Sequence, residues 1–117
     1  MRIVLGLGPT LFAANVAHEF RSRGWEALST ATGEDARRYA VANCTSVVLV
    51  PYQDNDPLAT AKIVNAMPRK TKVVLLTATS NRRAIQLAEM MGIPVVAEAG
   101  GVEGVVAAVA GLLPVVK

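Results

Sequence analysis

The segment Gly6-Leu7-Gly8-Pro9-Thr10-Leu11 places two glycines directly after the apolar run Ile3-Val4-Leu5. Backbone N–H groups in such a turn, backed by a helix N-terminus, can meet an anion. The third glycine of a dinucleotide-binding turn is replaced by Leu11, and Ser29-Thr30-Ala31-Thr32 stands where an acid would hold a ribose. The turn is therefore read as structural. A small-ligand or nucleotide site using Gly6, Gly8, Thr10, Thr77 and Ser80 is the alternative. His18, the single histidine, has Glu19 beside it rather than one helical turn away, so it lacks partners for metal ligation or proton transfer. A surface or boundary position is expected for it. Cys44, the single cysteine, excludes an internal disulfide and a cysteine-rich metal cage, and is expected to be partly buried. Asp54-Asn55-Asp56 reads as a solvated turn before Pro57. Met90-Met91 suits either adaptable contact surface or core packing. These residues imply no metal and no cofactor.

The elements that carry these residues follow from periodicity. Ile3 to Gly6 is a short apolar strand, and Leu11, Phe12, Ala14, Val16, Ala17 and Phe20 recur at helical spacing after it, with Thr10 as N-cap and Gly24 as stop. Trp25 to Thr30 reads as a second strand and Gly33 to Asn43 as a second helix with acids in its first turn. Ser46 to Val50 is apolar on both faces and must be a central buried strand. A polar loop, Pro51 to Pro57, leads to a third helix, Leu58 to Met67, ended by Pro68. Lys72 to Thr77, Asn81 to Met91 and Pro94 to Ala97 are the fourth strand, fourth helix and fifth strand, and a last helix runs from Val102 to about Leu113. Regular alternation of this kind predicts an α/β fold with a doubly wound parallel sheet and helices on both faces.

Composition agrees with one such domain over residues 1–117: 52% of residues are hydrophobic but only 4% aromatic, so Val, Ala and Leu must build the core. Disorder is excluded. The net charge of +3 comes from scattered pairs, Arg21/Arg23, Arg37/Arg38, Arg69/Lys70/Lys72 and Arg82/Arg83, which do not indicate a general nucleic-acid binder. No signal-peptide hydrophobic region is read at the N-terminus, and the apolar tract Gly104 to Val116 is shorter than the roughly 20 residues of a membrane helix. A cytoplasmic protein without membrane contact is expected.

The order and spacing of segments resemble the receiver domain of two-component response regulators, a flavodoxin-like (βα)5 fold with strand order 2-1-3-4-5. The resemblance spans nearly the whole chain. It is carried by the Ile-Val-Leu strand with Pro9 after it, Gly24-Trp25, Thr32-Gly33-Glu34-Asp35-Ala36, Thr77-Ala78 and Gly92. It implies phosphoryl transfer to an aspartate ending the third strand, with Mg²⁺ held by that aspartate and by an acidic pair ending the first. In this chain the acidic pair falls on Gly6 and Leu7, the phosphoacceptor on Pro51, the phosphate-contacting lysine on Glu98 and the aromatic switch on Val95. Only Thr77 matches. Asp54 lies three residues past Pro51, about 10 Å of extended chain, and does not replace the acceptor. Mg²⁺ needs oxygen ligands that Gly, Leu and Pro side chains lack. The resemblance is thus to a degenerate receiver, or pseudo-receiver.

From Val102 to Val116 the only charge is Glu103, which leaves the last helix without a polar face. An apolar circumference of this kind predicts a partner surface. Val95, Val105, Val106, Val109 and Leu112 are assigned to it, with Arg82 and Arg83 giving charge selectivity at the rim. The expected function is a non-enzymatic signalling or scaffolding module that binds a protein partner or a second copy of itself.

Overall fold

Val47-Val48-Leu49-Val50 is apolar at every position, as suits a strand covered on both faces, and all four residues are fully buried. In the computed structural model, which describes residues 1–78 and 81–112, this run forms β3 (Val47–Pro51). It lies at the centre of a parallel sheet, between β1 (Arg2–Leu5) on one side and β4 (Lys72–Thr77) on the other. β2 (Glu26–Ser29) pairs outside β1 and β5 (Val95–Ala97) outside β4, so the order is 2-1-3-4-5. The helices are α1 (Leu11–Ser22), α2 (Gly33–Ala42), α3 (Pro57–Asn65), α4 (Arg82–Met91) and α5 (Gly101–Gly111). A single 3₁₀ turn, Glu98–Gly100, joins β5 to α5. This is the flavodoxin-like architecture expected from the alternation of segments.

Successive strand residues point to opposite faces, and the core divides accordingly. Ile3, Leu5, Val47, Leu49, Val74 and Leu76 face α1 and α5, whereas Val4, Val48, Val50 and Val73 face α2 and α3. Leu75 meets Ala84 and Ala88 of α4. Alanines on α2 and α4 let those helices sit close to the sheet. The chain's largest buried ring, Phe20, lies 4.9 Å from Trp25 between ring centroids and seals the α1–β2 corner.

Capping chemistry sets the helix starts. The hydroxyl oxygens of Thr10 and Thr32 accept from the backbone N–H of Ala13 and Asp35, each at 3.1 Å. Asn81 caps α4, and Gly92 ends it in the left-handed conformation at φ +67°. Asp56 is more than a solvated turn residue. Its carboxylate accepts from Ala59 N–H at 3.1 Å, and Pro57 follows at the first helical position, where no N–H is needed. Pro51, expected in the loop, is the last residue of β3, paired with Leu76. The strand tolerates it there because the ladder is carried on by Tyr52, whose N–H donates to Leu76 O at 2.7 Å.

Two expectations need correction. Cys44 is exposed rather than partly buried. Asn43 turns the chain extended after α2 (φ −135°, ψ 141°), and Thr45, not Cys44, goes inward. The second concerns α5. Val105, Val106 and Val109 are fully buried against α1 and the sheet, so they cannot line an exposed contact. With Val102 they form an i, i+3, i+4, i+7 stripe, and each buried valine contributes about 1.5 kcal/mol to the core. Outward positions Gly104, Ala107, Ala108 and Gly111 are exposed but small. Leu112, just past the end of the helix, is 36% exposed. No helix among the described residues is long and apolar enough to cross a membrane.

On the surface, Glu34 in the first turn of α2 accepts from Arg37 Nε at 3.0 Å and Nη2, and lies near Arg38 at 3.6 Å. The hydrogen bond from Arg37 holds its carboxyl below the usual carboxylate range. A folded-state pKa below the unfolded value gives stability that is complete at neutral pH and is lost as acid protonates the folded carboxylate. Glu34→Gln is accordingly expected to flatten the acid limb of a pH–stability curve slightly, without changing the plateau shape above it.

Candidate functional site

In parallel α/β sheets, ligands and catalytic groups collect at the carboxyl ends of the strands. Here that edge brings together Gly6 and Leu7 after β1, Pro51 ending β3, Thr77 ending β4 and Glu98 after β5. The five positions singled out from sequence therefore converge on one edge of the sheet. What they present there is not a carboxylate cluster.

Gly6 is buried, and its N–H donates to Leu49 O at 3.0 Å. Space, rather than backbone angle, demands a glycine. A Cβ built on Gly6 would lie 2.7 Å from Gly33 Cα and 3.0 Å from Thr32 O, well inside the ~3.5 Å at which carbon atoms begin to repel. Gly33, the first residue of α2, is itself close to β3: a Cβ on it would be 3.5 Å from Pro51 Cδ and 3.4 Å from Val50 Cγ1. Those are ordinary van der Waals separations, so the tight contact is the one between Gly6 and the backbone of the first turn of α2, which fills the space beside the end of β1. Leu7 is half-buried and packs against the α1–α5 core, so its side chain leaves this edge.

Thr77 is buried at the end of β4, and Glu98 is half-buried where the 3₁₀ turn begins. Val95 is half-buried over Leu75, Ala84 and Ala88. Asp54 is exposed in the loop after β3, with Asn81 Nδ2 3.5 Å from its carboxylate. Among the described residues no three His, Cys, Asp or Glu side chains group in a way that could hold a metal ion. The receiver-like fold implies Mg²⁺ at this edge, but the donor set does not fit it: the positions concerned offer a hydrogen, an isobutyl group and a pyrrolidine ring, and backbone fills the space beside the first.

The Gly6-to-Thr10 turn is closed by its own hydrogen bonds. Gly8, at φ +78°, donates to Thr30 O at 3.0 Å, and Thr10 N–H donates to Gly8 O at the same distance. With Gly6 N–H on Leu49 O, three amides of the turn are thus engaged within the chain. A depression of about 180 Å³ lies beside it, lined by Gly8, Pro9 and Ser29 to Ala31, with no charged residue. Thr77 is two strands away, roughly 10 Å, and Ser80 lies outside the described residues. His18 is exposed on α1, as expected. Sequence patterning missed Gly33 and the buried Thr60, whose hydroxyl accepts from Gln53 N–H at 3.1 Å and shapes the loop after β3. The only sequence signal for Gly33 was a glycine at a helix start, where most residues would serve.

No protein-family profile matches the sequence, and no curated protein matches it significantly. Solved structures do. A response regulator from Thermotoga maritima superposes with a TM-score of 0.77 at 14% identity, covering 94% of each chain. The chemotaxis protein CheY4 of Vibrio cholerae superposes with a TM-score of 0.74 at 17% identity, covering 97% of this chain and 99% of that one. At such identities the likeness is one of fold. The chain therefore has the receiver-like, flavodoxin-like fold seen in response regulators, over nearly its full length.

Proposed function

We propose that this chain is a receiver-like interaction module that works without aspartyl phosphorylation and is not an enzyme. The observation that carries the reading is the contact of Gly6 with the backbone of α2, which leaves no room for a side chain at the end of β1, together with the lack of a carboxylate at Gly6, Leu7 and Pro51. Phosphoryl transfer to this edge would lack both its nucleophile and the oxygen ligands for its metal. Loss of the aromatic position at Val95 and the acid at Glu98 point the same way.

The module is proposed to bind a protein partner or a second copy through the surface of α4, β5 and α5. Arg82 and Arg83 are exposed at the start of α4, Met90 is 84% exposed near its end, and the outer side of α5 is flat because its residues are small. Such a surface admits close approach of another helix, with the arginines at the rim conferring charge selectivity. The contact residues on α5 are then Ala107, Ala108 and Leu112 in place of the buried valines. A cytoplasmic setting is part of the same proposal. Ligand binding at the Gly6-to-Thr10 turn is the weaker reading, because the amides of Gly6, Gly8 and Thr10 are already hydrogen-bonded within the chain.

The test is an amide NMR spectrum of the full chain before and after Mg²⁺ with beryllofluoride, a phosphoryl mimic. An unchanged spectrum is expected. Saturable shifts at Gly6, Tyr52 and Thr77 would overturn the proposal. Light scattering over a dilution series, comparing the wild type with Ala108→Glu, reads the second-copy option separately.

A further inference from the structure

The opposite, amino edge of the sheet is about 17 Å away along β4, whose six residues are separated by about five steps of ~3.3 Å, and is built quite differently. The chain between α3 and β4, Pro68 to Thr71, forms a ridge between two depressions. The larger, of about 460 Å³, has an apolar floor of Val64, Met67, Pro68, Met91, Ile93 and Pro94. The smaller, of about 260 Å³, lies on the other side of the ridge beside the end of α2, from Ala40 to Thr45. Arg69 and Lys70 crown the ridge, line both depressions and are exposed. Neither forms an ion pair among the described residues, and no acidic residue lines either depression. The nearby cations are engaged: Lys72 Nζ donates to Leu112 O at 3.1 Å, and Arg2 pairs with Glu26 at 2.8 Å. Arg23 and Arg37 pair with Glu19 and Glu34; Lys62, Arg82 and Arg83 form no ion pair among the described residues either, but they do not line these two depressions.

We propose that this ridge and its depressions dock an acidic peptide segment of a protein partner, one that seats an aliphatic or aromatic side chain on the Met67–Met91–Ile93 floor and sets carboxylates against Arg69 and Lys70. The floor selects an apolar anchor, and two flexible methionine-bearing walls can adapt to its shape. The unpaired cations above it select negative charge on either side of that anchor. A nucleic acid suits the surface less well. No aromatic ring lines either depression to stack a base, and two exposed cations are few for a phosphate backbone. This surface is independent of the α4–β5–α5 face, so either can fail without the other.

The experiment titrates a capped six-residue peptide, a Leu-Phe pair flanked by two acidic residues on each side, into the isotope-labelled full chain. Expected are saturable amide shifts at Lys70, Thr71, Met91, Gly92 and Ile93, weaker in high salt. The same peptide with its acids replaced by amides should bind roughly tenfold more weakly, as should the double variant Arg69→Gln/Lys70→Gln, the size given by losing two exposed charge pairs. The charge-reversed Arg69→Glu/Lys70→Glu protein should show no shifts at these sites while keeping a wild-type spectrum elsewhere. Absence of shifts, shifts confined to another face, or equal binding by the charge-reversed protein would overturn the proposal. So would tighter binding of a ten-nucleotide single strand than of the peptide. A fall in stability on charge reversal with no peptide binding by the wild type would show that the two cations only offset the carbonyl ends of the adjoining helices.

Discussion

Gly6→Asp is expected to lower the melting temperature by roughly 10 °C or more and to create no Mg²⁺ site. The new Cβ would start 2.7 Å from Gly33 Cα, and that atom belongs to the backbone of α2, which cannot rotate away as a side chain would. Either α2 shifts off the sheet, uncovering Ala36 and Ala40, or the end of β1 moves and strains the bond from Gly6 N–H to Leu49 O. Overpacking of this kind costs about 1–3 kcal/mol, and forcing a carboxylate into a buried position against Thr32 O adds about as much again. Gly6→Ala separates the two contributions, since it introduces the collision without the charge. It should lose about half as much. Thermal denaturation followed by circular dichroism measures both variants, and calorimetric titration with Mg²⁺ measures the metal. An aspartate variant that kept the wild-type melting temperature and bound Mg²⁺ would show that α2 yields readily and that the packed contact does not preclude a receiver-type site.

Val109→Glu should prevent folding, or lower stability by about 4 kcal/mol or more, whereas Ala108→Glu should stay within about 0.5 kcal/mol of the wild type. The two residues are neighbours in the same helix, yet Val109 has no exposure and Ala108 faces solvent. A glutamate at 109 would be driven into a cluster of Ile3, Phe20, Leu49 and Leu76 with nothing to pair it. At 108 the carboxylate remains in water. Urea unfolding of the pair measures this directly, and equal stabilities would mean that α5 is rotated from the position described. The contrast also decides which variant can probe self-association. Only the outer position reports on an interface, because loss of assembly in the inner variant would merely report loss of the fold.

The strand and helix order was legible because its signals are local. β3 announces itself by the apolar run Val47 to Val50, three of whose four residues are β-branched, and α4 by Gly92 after it. Spacing of βα units then leaves few sheet orders to choose from, and the order seen follows the resemblance drawn from Gly24-Trp25, Thr77-Ala78 and Gly92. The absence of acids at Gly6, Leu7 and Pro51 was equally plain. The face of α5 was not. Its valines at 102, 105, 106 and 109 and its small residues at 104, 107, 108 and 111 make two stripes with the same period, both apolar. Hydropathy ranks the valine side as the stickier surface and cannot say that α1 and the sheet already cover it.

Local chain chemistry, then, is enough to define each segment, since turn residues, caps and periodicity act over a few neighbours, and the sequence shows no acid at Gly6, Leu7 or Pro51, where the resemblance looks for one. Three features required the folded arrangement: the burial of the α5 valines, the seating of α2 on Gly6, and the lack of any ion pair at Arg69 and Lys70 among the described residues. Each is a contact, or the lack of one, between segments far apart along the chain. Such relations depend on close packing and on charge separation in three dimensions, to which no residue's immediate neighbours bear witness.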